Sequence, residues 1–196
     1  MEIIFASIIA FASTNIDDIF ILALFFGDKQ YKTRDIYFGQ YLGIIALIGL
    51  SLAGSLLGNF VDSKYIGLLG LFPIYLGLTQ FISLISKKNK EEPEKTEIAN
   101  RKSGILNVAA VTFANGGDNI GVYIPLFATL THANKSIMIS IFLVMVLIWL
   151  VVAKYLTMHP VLTRVLSKYG HIITPIVLCI LGLYILKENG SFNLFI

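Results

Sequence analysis

Six apolar runs follow one another along this chain, separated by short polar stretches. Each is close to the length of about 20 residues that a helix needs to cross a bilayer core. The spacing predicts spans at about 3–26, 37–57, 65–86, 105–130, 137–157 and 171–187. Composition agrees: 56% of the 196 residues are hydrophobic and only 14% are charged, more apolar than an ordinary soluble domain. The charges lie mostly between the runs, so the net charge of +3 reports topology rather than nucleic-acid binding. The lone cysteine, Cys179, excludes an intramolecular disulfide and a cysteine metal cluster. The start, Met1-Glu2, has no basic lead, and its apolar run continues into acidic residues. The first span is therefore expected to be retained rather than cleaved as a signal peptide.

Lys87–Gly104 is a mixed-charge stretch without an apolar face, expected to be solvated. It divides the chain into a first three-helix repeat (1–86), the linker (87–104) and a second three-helix repeat (105–196). One side of the membrane collects Lys29, Lys32, Arg34, the six basic linker residues, Lys154, Arg164 and Lys168. The other collects only Lys64, Lys135 and Lys187. The richer side should be cytoplasmic. This predicts a multi-pass cell-membrane protein with the linker inside and both the N-terminus and the C-terminus outside. His159–Tyr169 spaces its apolar residues helically, with Arg164 and Lys168 opposite, and is read as a short interfacial helix.

Three spans per half make the halves cross in opposite senses, so an inverted repeat is expected. A shift of 101 residues places Asp17-Asp18-Ile19 on Asp118-Asn119-Ile120 and Phe26 on Phe127. Pro73 lies 102 residues before Pro175, near the start of each third span. The fold expected is an all-α membrane protein of six transmembrane helices, built as two inverted three-helix repeats with interrupted first and fourth helices.

The same shift gathers the polar residues. Asp17, Asp18 and Asp118 are the only acidic residues deep inside spans. Each costs about 2.5–3.5 kcal/mol at a helix centre on insertion scales. Their neighbours are Ser13, Thr14 and Asn15 in the first span and Asn115, Gly116, Gly117 and Asn119 in the fourth. Asn15 and Asp18 are three apart, as are Asn115 and Asp118, which would put each pair on one helix face. The glycine pair and the Ser/Thr/Asn run both weaken helix continuity. Broken spans would free carbonyls near the midplane, where inverted-repeat carriers hold substrate. Pro125 should add a kink.

Blander readings exist for each feature. Buried aspartates can bond one another and fix packing, and Gly116-Gly117 can be a close helix contact. Cys179 reads as a small core residue. His132, His159 and His171 lie at span edges or in loops, which argues against a histidine metal site in the bundle. Three carboxylates with amides and carbonyls suit a cation, best a divalent one, with protons competing. Asp17, Asp18, Asp118, Asn15, Asn115 and Asn119 are the candidate metal ligands. No GxxxxGK[ST] loop is present to couple ATP. No enzymatic activity, cofactor or nucleic-acid partner is expected; the partners are the ion and lipid, with a homodimer allowed.

The run Phe11-Ala-Ser-Thr-Asn-Ile-Asp-Asp-Ile-Phe20, followed by Leu24-Phe25-Phe26-Gly27, resembles the first span of cadmium resistance transporters of the CadD type, within the lysine exporter superfamily. Phe113-Ala-Asn-Gly-Gly-Asp-Asn-Ile-Gly-Val-Tyr123 resembles that family's second signature. The resemblance extends over nearly the whole chain. It implies efflux of Cd²⁺, with Zn²⁺ as a second substrate. Cd²⁺ is soft while the donors are hard oxygens, so selectivity would rest on geometry and ion availability. Alternating access in exchange for protons is the expected mechanism. The alternative is export of a cationic organic solute such as a basic amino acid, against which stands the lack of Lys or Arg near the midplane. A membrane sensor or assembly subunit would leave the intramembrane carboxylates without a role.

Overall fold

The computed structural model describes residues 2–56, 65, 67–86, 104–159, 175–187 and 191. Among them the regular structure is helical throughout, without strands. The helices are α1 (Glu2–Thr14), α2 (Asp18–Gly27), α3 (Thr33–Ser55), α4 (Leu71–Ser86), α5 (Gly104–Asn115), α6 (Gly117–Thr129), α7 (His132–Thr157) and α8 (Pro175–Lys187). A 3₁₀ turn, Gly67–Gly70, leads into α4.

Two helices, α3 and α7, are individually long and apolar enough to cross a membrane. The pair α1 and α2 makes a third candidate span, bent by 61° at its break. The expected fourth span is two helices, α5 and α6, meeting at Gly116. The expected third and sixth spans are described only in part, as α4 and α8. The linker residues 87–103 and the expected interfacial helix, from residue 160 onward, lie outside the described residues.

Several boundaries move from the sequence expectation for local reasons. Thr33, Arg34 and Asp35 belong to the first turn of α3 rather than to the preceding loop, with Asp35 N–H donating to the Lys32 carbonyl at 2.8 Å. An acidic residue is favoured at that end of a helix. Helix α7 begins at His132, five residues before the expected start, because Thr131 caps it by accepting from Asn134 N–H at 3.3 Å.

The bundle carries polar groups inside and apolar groups outside. Ser13, Thr14, Asn15, Asp18, Gln40, Thr112 and Asn119 are buried, while Phe5, Leu24, Phe38, Leu106, Val144 and Ile180 are exposed. Apolar surface on so many helices is costly in water but favoured in lipid.

The two sequence halves are interlocked. Helix α3 packs mainly on α5 and α6 of the second half, and α7 packs on α1 and α2 of the first. Small residues permit the α3–α5 approach: a β-carbon on Gly39 would lie 2.6 Å from Val108 Cβ, and one on Gly43 would lie 2.7 Å from Thr112 Cβ. Contact order shows that α3 runs parallel to the α5–α6 pair, since Gly39, Gly43 and Gly54 face Val108, Thr112 and Ile124 in turn. Helices α4 and α8 cross antiparallel, Gly70 facing the Gly182 carbonyl and Gly77 the Pro175 carbonyl.

Candidate functional site

The first break is written by three consecutive polar side chains. Ser13 Oγ and Thr14 Oγ1 each donate to the Ala10 carbonyl at 3.0 Å, and Asn15 Nδ2 reaches the Phe11 carbonyl at 2.9 Å. Such back-bonding competes with the helical ladder, and α1 ends at Thr14. Asp17 then caps α2: its Oδ1 accepts from Asp18 N–H at 3.2 Å.

The second break is a single residue, Gly116, with φ −81° and ψ 24°. A β-carbon there would run into the Leu47 side chain of α3, whereas Gly117 faces open space. The glycine pair is thus both the interruption and, at Gly116 alone, a close helix contact. Asp118 lies inside the first turn of α6 rather than at its cap, and its Oδ1 accepts from Asn119 N–H at 2.9 Å. Helix α6 runs on through Pro125.

The two breaks face each other, and the broken helices cross antiparallel there. Asn115 Nδ2 donates to Asp18 Oδ1 at 2.6 Å and approaches Asp17 Oδ2 at 3.4 Å. The Asn119 amide lies between two acceptors of the first span. Turned one way it donates to Asn15 Oδ1 at 3.1 Å; turned the other way it donates to the Thr14 carbonyl at 2.9 Å. Tyr123, one turn further along α6, sets its hydroxyl 3.2 Å from Thr14 Oγ1 and 2.9 Å from Asn15 Nδ2.

The face-sharing expectation does not hold. Asn15 and Asp18 are three apart, but the helix stops between them, so the spacing rule for a continuous helix does not apply. Asn15 turns toward Tyr123 and Asn119, and Asp18 toward Asn115 and Gln40. Asn115 likewise bonds across the halves to Asp18. Of the six candidates, Asp17, Asp18 and Asn115 meet directly, and Asn15 meets Asn119. Asp118 holds its own backbone turn. Among the described residues no three of the His, Cys, Asp and Glu side chains converge closely enough to hold one metal ion. Cys179 packs in the α4–α8 contact, its Sγ 3.9 Å from the Ile74 carbonyl.

Sequence reasoning missed four participants, one of them Tyr123 with its hydroxyl on Thr14 and Asn15. Gln40, 1% exposed in α3, reaches Asp18 Oδ2 with Nε2 at 3.4 Å and accepts from Thr112 Oγ1 at 2.5 Å. Trp149 of α7 donates its indole N–H to the Asn15 carbonyl at 2.6 Å. A glutamine inside an apolar run was a legible signal for Gln40. Thr112 and Trp149 carry no such mark, because their partners lie 72 and 134 residues away.

A model of the cadmium resistance transporter family matches residues 11–196, a stretch that holds both helix breaks and every polar residue of this crossing. The chain belongs to the cadmium resistance transporter family. No curated protein and no solved structure matches it. Membership of this transporter family points to metal efflux, and the apolar helices agree with a protein that works within a membrane.

Proposed function

We propose that the chain exports a divalent cation from the cytoplasm, Cd²⁺ first and Zn²⁺ second, by alternating access in exchange for protons. The observation that carries this reading is the antiparallel crossing of two broken helices, which brings Asp17 and Asp18 of one half against Asn115 of the other. Asp17 and Asp118 each accept from the backbone N–H of the residue that follows, a local likeness between the halves that supports an inverted repeat. Six spans arranged as two such repeats, with the linker inside and both ends outside, complete the proposed architecture.

In the described conformation the Asp18 carboxylate is satisfied by amide N–H groups from Asn115 and Gln40. An ion would replace those donors. Turning the Asn115 and Asn119 amides would offer oxygens in place of N–H groups. Asp118 completes the charge once its helix shifts toward Asp17. Protonating the carboxylates releases the ion, because a neutral carboxyl is a poor ligand. The bodies that move are not the sequence halves. Half-against-half rocking would break the packing of α3 on α5–α6 and of α7 on α1–α2. The proposed units are α1–α2 with α7, and α3 with α5–α6, sliding at the polar crossing.

A basic amino acid would need a cation for its carboxylate, and among the described residues no Lys or Arg is buried. Everted membrane vesicles test the reading. Cd²⁺ should accumulate when an inward-acid pH gradient is imposed and stop when a protonophore collapses it. Lysine should neither accumulate nor compete. Cd²⁺ uptake indifferent to the protonophore would exclude proton exchange, and lysine uptake would exclude the metal assignment.

A further inference from the structure

We infer that Trp149 is a positioning residue for ion binding: it fixes the broken turn of the first span by holding the Asn15 carbonyl, and thereby sets ion affinity without touching the ion. The inference rests on the export reading above.

The Asn15 carbonyl lies at the end of α1, where the interruption removes the ordinary helical donor four residues on. Such a carbonyl in a buried site must find a partner. It finds the indole N–H of Trp149, from the far half of the sequence, at 2.6 Å. This bond gives the carbonyl of a candidate ligand residue to the protein.

The side chain of the same residue is equally committed. Asn15 Nδ2 has the Phe11 carbonyl, Thr14 Oγ1 and Tyr123 Oη all at 2.9 Å. Asn15 is therefore gripped from α7 at its main chain and from α6 at its amide. Two residues later the chain supplies Asp17 and Asp18. With Asn15 pinned, the direction in which the turn leaves α1 is fixed, and so is the approach of both carboxylates to Asn115.

Trp149 itself is well supported. Its ring meets Phe11 edge-on at 5.4 Å and 90°, and Phe11 packs in turn on Phe142 at 5.6 Å. Phe142 lies 4.6 Å from Tyr123, which closes the circuit back to the Asn15 amide. Aromatic packing locks the indole, so its N–H is aimed before any ion arrives, the preorganisation a binding site requires.

Trp149 is the only tryptophan in the chain, which makes a clean experiment available. Benzothienylalanine incorporated in its place deletes the N–H and keeps the bicyclic ring. Calorimetry should show the analogue protein binding Cd²⁺ roughly tenfold more weakly than the unsubstituted protein, the scale of one lost buried hydrogen bond. Trp149→Phe should show at least the same loss, and serves if the analogue protein does not fold by circular dichroism. In the unsubstituted protein, Trp149 emission should shift on Cd²⁺ addition with the calorimetric midpoint. Equal Cd²⁺ affinity in the unsubstituted and N–H-deleted proteins would overturn the role of Trp149 alone. An unsubstituted protein that binds neither Cd²⁺ nor Zn²⁺ would overturn the export reading and this inference together.

Discussion

Gln40 sits in the apolar run of α3, yet it joins two buried polar groups from different helices, Asp18 and Thr112. Its amide serves Asp18 with the N–H end and Thr112 with the oxygen end. Gln40→Leu keeps the size and removes both bonds. Leaving buried polar groups short of partners costs about 1–3 kcal/mol, so the variant should melt at a lower temperature in detergent and bind Cd²⁺ more weakly. An unchanged melting temperature would show that the bridge contributes nothing. Cys179 is the contrasting case. It packs between α4 and α8, against the Gly77 position, where a β-carbon would lie 2.7 Å from its sulfur. Cys179→Ser should leave cadmium resistance of expressing cells largely intact. Complete loss at normal protein level would mean that a soft sulfur ligand is used. At this scale the sequence singled out the carboxylates and asparagines because polar groups inside an apolar run are conspicuous, and the structure brings Asp17 and Asp18 against Asn115 and Asn15 against Asn119. It could not say which of them touch, because Asn15 and Asp18 part company at a break that the spacing rule ignores.

The interrupted helices show how far pattern reading reaches at the level of elements. The Ser13-Thr14-Asn15 run and the Gly116-Gly117 pair both marked breaks that the structure contains. The two glycines look interchangeable in sequence and are not. Gly116 meets Leu47, while Gly117 has nothing within 4 Å. Gly117→Ala should be neutral or stabilising by up to about 1 kcal/mol, the helix-propensity difference. Gly116→Ala forces Leu47 aside and should destabilise by about 1–3 kcal/mol, the usual cost of overpacking. Thermal melts of the two variants in one detergent would check the ordering, and equal melting temperatures would contradict the assigned contact. The partners of α3 and α7 were not legible. Adjacent helices in sequence are the natural first guess for neighbours, but the small faces at Gly39 and Gly43 are matched by Val108 and Thr112 of the other half.

Interlocking has consequences for the whole molecule. If α3 finds its packing surface on α5–α6, and α7 on α1–α2, neither half can bury its apolar faces alone. Residues 1–86 and 105–196 expressed separately should be degraded, and expressed together they should co-purify. A stable, monodisperse single half would contradict the interlocked arrangement. The charge asymmetry makes a further prediction: cysteines placed in the Lys87–Gly104 linker of a Cys179→Ser background should resist a membrane-impermeant maleimide in intact cells. Labelling there would reverse the proposed orientation. The central claim is that the aspartates beside the two helix breaks bind a divalent ion and exchange it for protons. Cd²⁺ affinity measured in detergent from about pH 5.5 to 8 tests it most directly, in the unsubstituted protein and in Asp17→Asn, Asp18→Asn and Asp118→Asn. Protonated carboxyls are poor ligands, so affinity should fall as pH falls in the unsubstituted protein. Asp17→Asn and Asp118→Asn should each weaken binding by roughly tenfold or more, since affinity at oxygen sites follows the number of charged ligands. Asp18→Asn should flatten the pH profile more than it weakens binding at high pH, because its counterpart in the proposed repeat is already an amide, Asn119. A flat profile in the unsubstituted protein would contradict proton exchange, and unchanged affinity in both Asp17→Asn and Asp118→Asn would contradict the site.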